Sequence, residues 1–393
     1  MASATAVCDA RAGQRVLALS TDQAHSLGDV LGVAVSPTGR GEPTRVGTEN
    51  AGLGGGSLDV LALDTLALLE DRWHGVVDAV DRRFPDSELG SIAPEELSAL
   101  PGVQEVLGLH AVGELAATGR WDHVIVDCAS TADALRMLTL PSTFGLYLER
   151  AWPRHRRLTA EDDRSAAVAE LLERIGQGVE LLSALLADGE RVSARLVLTP
   201  ERVVAAEAIR TLGSLSLMGV KVEELIVNQV LVQDDSYEYH NLPDHPAFCW
   251  YAERIAEQRA VLDELDAAIG DVALVLTPHL SGEPIGPKAL GELLDGSRRR
   301  NGAAPPGPLR PIVDLESGSG LESVYRLRLA LPQVDPATLT LGRVDDDLVV
   351  GAGGLRRRVR LASVLRRCTV SDANLSGTEL TIRFRPNPEV WPK

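Results

Sequence analysis

Three polar clusters stand directly after apolar runs in this 393-residue chain. LALSTDQAHSL puts Asp22 just past one run, and HVIVDCAST puts Asp127 at the end of a second. LIVNQV puts Asn228 and Gln229 at the end of a third. Short apolar runs of this kind read as buried strands. In a parallel sheet the C-terminal strand ends line one crevice, and ligands bind there. A carboxylate so placed can hold Mg²⁺ on a nucleotide, often through water. A second carboxylate opposite it can orient a water for attack on a phosphoryl group. Asn and Gln carry paired donors and acceptors that match an adenine edge. Each residue also has a plainer reading: Asp22 alone can cap a helix, and Asp127 alone can be a strand-end turn residue. Order and context together carry the nucleotide reading.

The elements that must position these residues alternate. Residues 2–12 read as a helix ended by Gly13, with no Ser, Thr, Asp or Asn cap before it. RVLALST (15–21) follows as a buried strand. Residues 58–84 repeat apolar positions at three and four, which predicts one long amphipathic helix. Strands are predicted over 123–129, 195–200, 223–231 and 271–280, with helices over 201–219 and 248–270. The pattern predicts an α/β fold: a mostly parallel sheet covered by helices on both faces. Residues 296–320 are dense in Pro, Gly and Ser and predict a linker, with Arg298–Arg300 in solvent. Beyond it the period changes to two, predicting a small antiparallel β-sandwich within 321–393. The expected domains are therefore 1–295 and 321–393, joined by that linker.

Composition narrows the function. The chain is 45% hydrophobic and 24% charged, as expected of a globular protein with a large core. A net charge of −17 argues against a nucleic-acid partner and against anionic membrane. No secretory leader pattern and no apolar run of ~18 residues is visible, so a cytoplasmic protein without a membrane-spanning helix is expected. Cys8, Cys128, Cys249 and Cys368 are far apart and form no C-x-x-C pair, which predicts buried reduced thiols. Neither a three-thiol metalloid site nor a zinc site is expected. His25 and His123 lack metal spacing, and His25 reads as structural. GAGGLRRR (351–358) reads as a hairpin turn, and AGLGGGSLD (51–59) has no Lys to meet a phosphate. The stretch 142–186 reads as helices whose apolar positions serve core or dimer surface, with RHRR (154–157) in solvent.

Longer stretches carry a resemblance. VLALSTDQAHSLGDVLG resembles the switch I segment of the ArsA-type anion-transporting ATPase family, usually S-T-D-P-A-H. DHVIVDCASTADALRMLTLP resembles its switch II segment, and PGVQEV its P-G-x-D/E-E segment. VLTPERVVAAEAIRTLGSLSLMGVKVEELIVNQVL is similar to the strand–helix–strand that leads to its N-Q adenine loop. DDDLVVGAGGLRRRVRLA resembles the small-heat-shock-like sandwich appended to bacterial members. The family includes the arsenite pump ATPases and the ATPases that target tail-anchored membrane proteins.

The resemblance implies a deviant P-loop NTPase fold and ATP hydrolysis with Mg²⁺ by a dimer. The dimer would form with a second copy or with a family paralogue. Its opening and closing would be coupled to an unidentified cargo or a membrane-associated partner. Carried over, Asp22 would activate water and Asp127 would serve both catalysis and Mg²⁺. Asn228, Gln229, Pro278 and Thr131 would contact the nucleotide, with Asn228 and Pro278 flanking adenine. The family's phosphate loop, G-K-G-G-V-G-K-[ST], and the central strand before it correspond to positions ahead of Met1. The alternative expectation is a P-loop-less, inactive paralogue that partners or scaffolds an active ATPase. Gln23, Ser130 and Ala132 stand where the family has Pro, Pro and Gly, and they motivate that alternative.

Overall fold

The computed structural model describes residues 1–21, 26–35, 42–47, 55–83, 103–128, 130–151, 163–232, 244–301 and 311–391. These residues fall into two compact units. One is Met1–Leu186 with Leu280–Gly296, and the other is Ala187–His279 with Ser297–Lys393.

The first unit is built on a four-stranded sheet in the order β2-β3-β1-β4. Its strands are β1 (Arg15–Ser20), β2 (Thr44–Arg45), β3 (Ser57–Ala62) and β4 (His123–Asp127). β1 pairs in parallel with both β3 and β4, and two-residue β2 runs antiparallel on the edge. Alternation along β1 explains the layers. Val16 and Ala18 pack with Leu58, Val60 and the helix α1 (Ala2–Arg11). Leu17 and Leu19 face the other way, toward Leu61, Leu68 and Trp121. Strands buried on both faces need apolar residues at every position, and β1 is buried from Val16 to Ser20.

The run 58–84 departs from the expected single helix. Its first five residues belong to β3, and only Thr65–Arg83 form a helix, α3. The apolar run LDVLALD is a doubly buried strand, whose spacing imitates a helical face. Asp64 ends it and caps α3, accepting from the N–H groups of Leu66 and Ala67 at 3.0 and 2.9 Å. Asp59 within the strand is only 4% exposed. It takes a 2.8 Å hydrogen bond from the Trp121 indole and a 2.5 Å ion pair from Arg45, which answers its burial cost.

Four more helices complete this unit: α2 (Ser26–Leu31), α4 (Val103–Ala117), α5 (Thr131–Ala151) and α6 (Asp163–Leu186). Leu109, Met137 and Leu182 join α4, α5 and α6 in a small core of their own. The stretch expected to be helical thus is so over its described residues, and RHRR lies outside them. A last helix, α9 (Gly286–Asp295), lies against α1, where Arg11 bonds Asp295 and the carbonyls of Pro287 and Lys288, each at 3.3 Å.

Arg15 and Asp122 lock the starts of β1 and β4 together. The guanidinium and backbone N–H of Arg15 reach the Asp122 carboxylate at 2.7–3.1 Å. These bonds pull Asp122 down to about 2. A carboxylate lowered on folding adds stability that is full above its unfolded value and is lost as pH falls through its folded value. Carboxyl ¹³C titration is expected to place Asp122 near 2, and Arg15→Met should return it toward the ordinary carboxylate range.

The second unit holds another four-stranded sheet, ordered β5-β6-β7-β8, from β5 (Ser193–Leu198), β6 (Lys221–Val230), β7 (Ala273–Pro278) and β8 (Arg298–Asn301). β5, β6 and β7 are parallel, and β8 is antiparallel. Helices α7 (Arg202–Met218) and α8 (Pro246–Ala268) connect them. Arg298–Arg300 are therefore an edge strand and not free in solvent. Arg299 pairs with Glu224 at 2.8 Å, and Arg300 with Asp263 and Asp266 at 2.6 and 2.5 Å. A basic tripeptide pairs here because β6 and α8 offer carboxylates beside the sheet edge.

The same unit contains the sandwich. One sheet runs β14-β15-β10-β9 and the other β11-β12-β13. The strands are β9 (Ile312–Ser317), β10 (Val324–Ala330), β11 (Thr340–Val344), β12 (Asp347–Ala352), β13 (Leu355–Arg360), β14 (Cys368–Ser376) and β15 (Glu379–Pro386). All are antiparallel. β9 lies in the stretch expected to be linker. Gly353 and Gly354 turn β12 into β13 at φ +56° and +84°, the hairpin expected of GAGG. The sandwich core is completed from outside it: Leu217 of α7 packs among Leu327, Leu348, Val359 and Phe384.

Candidate functional site

The sequence-predicted residues fall into two groups, one in each unit, and Asp22 with Gln23 and His25 lies outside the described residues. Asp127 is the last residue of β4 and stands beside Ser20 in the parallel register. Its backbone carbonyl accepts from the N–H of Thr21 at 3.3 Å and from the Thr21 hydroxyl at 3.5 Å. This fixes the strand end that presents the carboxylate. The start of α1 lies close to it. Burial pulls the Met1 amino group below its ordinary value, and the nearby Asp127 carboxylate acts in the opposite sense. α1 turns into β1 through Gly13, so its N-terminus stands at the same end of the sheet as Asp127, and a helix N-terminus favours anions.

No cluster of three or more His, Cys, Asp or Glu poised for a metal occurs among the described residues. Among the described residues a metal at Asp127 would rest on that one carboxylate, with water and substrate oxygens completing its shell. That donor set suits Mg²⁺, which keeps several waters and binds through one or two carboxylates plus phosphates.

Thr131 and its neighbours open α5. Ser130 and Asp133 form a reciprocal cap there. The Ser130 hydroxyl donates to Asp133 at 2.7 Å and accepts from the Asp133 N–H at 3.1 Å. Arg136 reaches the same Asp133 at 3.7 Å and Glu105 of α4 at 4.0 Å. The helix end is held by its own side chains, with Thr131 and Ala132 exposed in its first turn. Ser130→Ala is expected to cost about 1 kcal/mol of helix stability, read as faster hydrogen exchange of the first-turn amides of α5.

The cysteines differ from expectation. Only Cys368 is buried; Cys8 is half-buried, and Cys128 and Cys249 are exposed. Cys249 lies in the first turn of α8 beside Phe248 and Trp250, which are also exposed, so this turn carries no core. Cys128 follows the last residue of β4. Although its surface is open, desolvation of the thiol and then the Asp127 charge push it up to about 11. It is a thiol at neutral pH and a poor ligand for a soft metalloid. His123 pairs with Asp9 at 2.8 Å.

In the second unit Asn228, Gln229 and Pro278 are brought together. The β6–β7 ladder shifts register between Val227 and Val230, leaving Asn228 and Gln229 out of the pairing. Gln229 takes a left-handed φ of +62°, unusual for a residue with a side chain. Two residues that the sequence reading missed hold this corner. Thr277, fully buried, bonds the Asn228 Oδ1 at 2.8 Å. Gln258 of α8, 5% exposed, accepts from the Leu231 N–H at 3.0 Å and donates to the Gln229 carbonyl at 3.2 Å. The His279 N–H closes the loop on the Val230 carbonyl at 2.9 Å and sets Pro278 alongside. A signal for Thr277 exists in the sequence: LVLTP occurs twice, at 196–200 and 274–278. Gln258 has none, being one polar residue among many on a helix.

Comparisons with known proteins agree with this arrangement. Residues 1–295 match the family model described as anion-transporting ATPase. Residues 322–384 match that of the HSP20-like domain found in ArsA. Protein Rv2184c of Mycobacterium tuberculosis is 78% identical, over 100% of this chain and 94% of its own length. An uncharacterized Streptomyces coelicolor protein, SCO2128, is 33% identical over 100% of this chain and 95% of its own. A putative arsenical pump-driving ATPase of Chlorobaculum tepidum is 26% identical over 98% and 92%. The chain belongs to the ArsA-type anion-transporting ATPase family, in the form that carries a C-terminal HSP20-like domain.

Proposed function

We propose that this protein binds ATP with Mg²⁺ and hydrolyses it to switch a dimer between open and closed forms. One observation carries the reading: the strand-end carboxylate Asp127 and the N-terminus of α1 stand at the same end of the first sheet. Asp127 would hold Mg²⁺, and the first turn of α1 would face phosphate oxygens. Bound there, Mg²⁺ would neutralise charge that builds on the transferring phosphoryl group. Asp22 would orient the attacking water. In the second unit Asn228, Gln229 and Pro278 would read and flank the base. Thr131, exposed in the first turn of α5, would meet the nucleotide, so α5 and α6 would follow its state.

The dimer would form with a second copy or a family paralogue in the cytoplasm, and no helix of the described residues is long and apolar enough to cross a membrane. The cargo is not a soft metalloid on this reading, because no metal-binding group of three side chains occurs among the described residues and Cys128 stays protonated. A membrane-associated partner remains the other destination for the switch.

The reciprocal Ser130–Asp133 cap favours a second reading. It closes α5 without a ligand, as an inactive paralogue partnering an active ATPase would allow. Calorimetry and phosphate release on the native full chain separate the two. Binding with turnover supports the ATPase. Mg-ATP without effect on melting, and no phosphate released, supports the partner.

A further inference from the structure

We infer that Thr277 sets the choice of base by aiming the Asn228 amide, and that Gln258 holds the corner on which Asn228 sits. The inference rests on the nucleotide reading above. The Thr277 hydroxyl has one hydrogen and two acceptors in reach: the Asn228 Oδ1 at 2.8 Å and the Val227 carbonyl at 3.3 Å. The shorter contact takes it. Oδ1 is then pinned on the Thr277 side with one lone pair left, and Nδ2 keeps both hydrogens. The half-buried amide therefore offers one acceptor next to one donor, in a fixed order.

That order matches a 6-aminopurine. Adenine shows a donor at N6 and an acceptor at N7, which an Asn amide pairs with both ways. Guanine shows acceptors at both O6 and N7, so Oδ1 would meet O6 lone pair to lone pair. Without the hydroxyl the amide can turn over, and the turned pose sets Nδ2 against N6 and Oδ1 against N7, which weakens adenine while guanine keeps one bond in either pose. Thr277 is buried and touches no base, so it is a positioning residue.

Gln258 has a different task. Both of its polar ends are engaged, one on each side of the left-handed corner at Gln229. It keeps Asn228 off the ladder whichever base is offered.

The test is the ratio of ATP to GTP affinity, measured by calorimetry on the full chain with Mg²⁺. Wild type is expected to prefer ATP by about tenfold or more, the discrimination of one bidentate pair. Thr277→Val is isosteric and should fold, which its melting temperature checks. It should lower the ratio by about twofold or more, and Thr277→Ser should restore the preference. Gln258→Met should weaken ATP and GTP together, leaving their ratio intact. ATP binding with an unchanged ratio in Thr277→Val overturns this inference alone. Unchanged affinities in Gln258→Met overturn that residue's part. Wild type that binds neither nucleotide overturns the nucleotide reading and this inference with it.

Discussion

Replacing Asp127 by asparagine is expected to lower Mg-ATP hydrolysis by about 100-fold or more while leaving the fold in place. A metal ion on a transferring phosphoryl group supplies several kcal/mol of charge stabilisation, and each ~1.4 kcal/mol is tenfold in rate. Asparagine keeps the size of the side chain and removes the charge that holds the ion. The backbone at the strand end does not depend on the charge, because Thr21 bonds the Asp127 backbone carbonyl. The β1–β4 pairing from Val16 to Ser20 is likewise backbone. Phosphate release and the Mg²⁺ dependence of the melting temperature check the two halves. Full turnover in Asp127→Asn would move the metal to another ligand and sink the proposed site. A melting temperature that collapses would make Asp127 a structural residue.

The same contrast between backbone and side chain explains which features were legible in the sequence. Strand ends were legible, because a doubly buried parallel strand reads as an apolar run and the first polar residue after it marks the crevice. Asp127 and Asn228 follow from this rule alone, whereas Pro278 and Thr131 came only with the family resemblance. β3 was not legible as a strand. Only Asp64 and Thr65 separate its apolar residues from those of α3, so the two elements read as one periodic stretch. The partners that keep Asp59 buried, Arg45 and Trp121, lie 14 residues before it and 62 after it. Arg298–Arg300 were illegible for a similar reason, since their strand exists through pairing with β7 and carboxylates of β6 and α8. Thr277 and Gln258 make the strongest case. One is a strand residue and the other a helix residue, 49 and 29 positions from what they hold. Only the topology, which sets β7 beside β6 and α8 near their ends, brings them to the site.

The largest stability effect is expected at Gly219, where α7 meets the HSP20-like domain within the second unit. Gly219 ends α7 at φ +82°, a left-handed cap that costs any side chain about 1–2 kcal/mol. A Cβ there would also come within 2.6–2.8 Å of the Arg357 guanidinium. That guanidinium cannot simply step aside. It is half-buried, pulled down to about 10 by desolvation and still charged at neutral pH. It donates to the Leu217 carbonyl at 3.3 Å, at the helix end whose dipole favours a cation. Displacing it forfeits a charged hydrogen bond of ~1.5–3 kcal/mol. Gly219→Ala is therefore expected to cost about 3–5 kcal/mol in denaturant unfolding, with amides of β12 and β13 losing protection from hydrogen exchange first. A cycle with Arg357→Met separates the terms. Methionine removes the group that clashes, so the double variant should recover the contact part and retain only the left-handed part of ~1–2 kcal/mol. If the two changes instead add without coupling, Gly219 is needed for its backbone alone. Arg357 would then have no part in seating the HSP20-like sheet on α7.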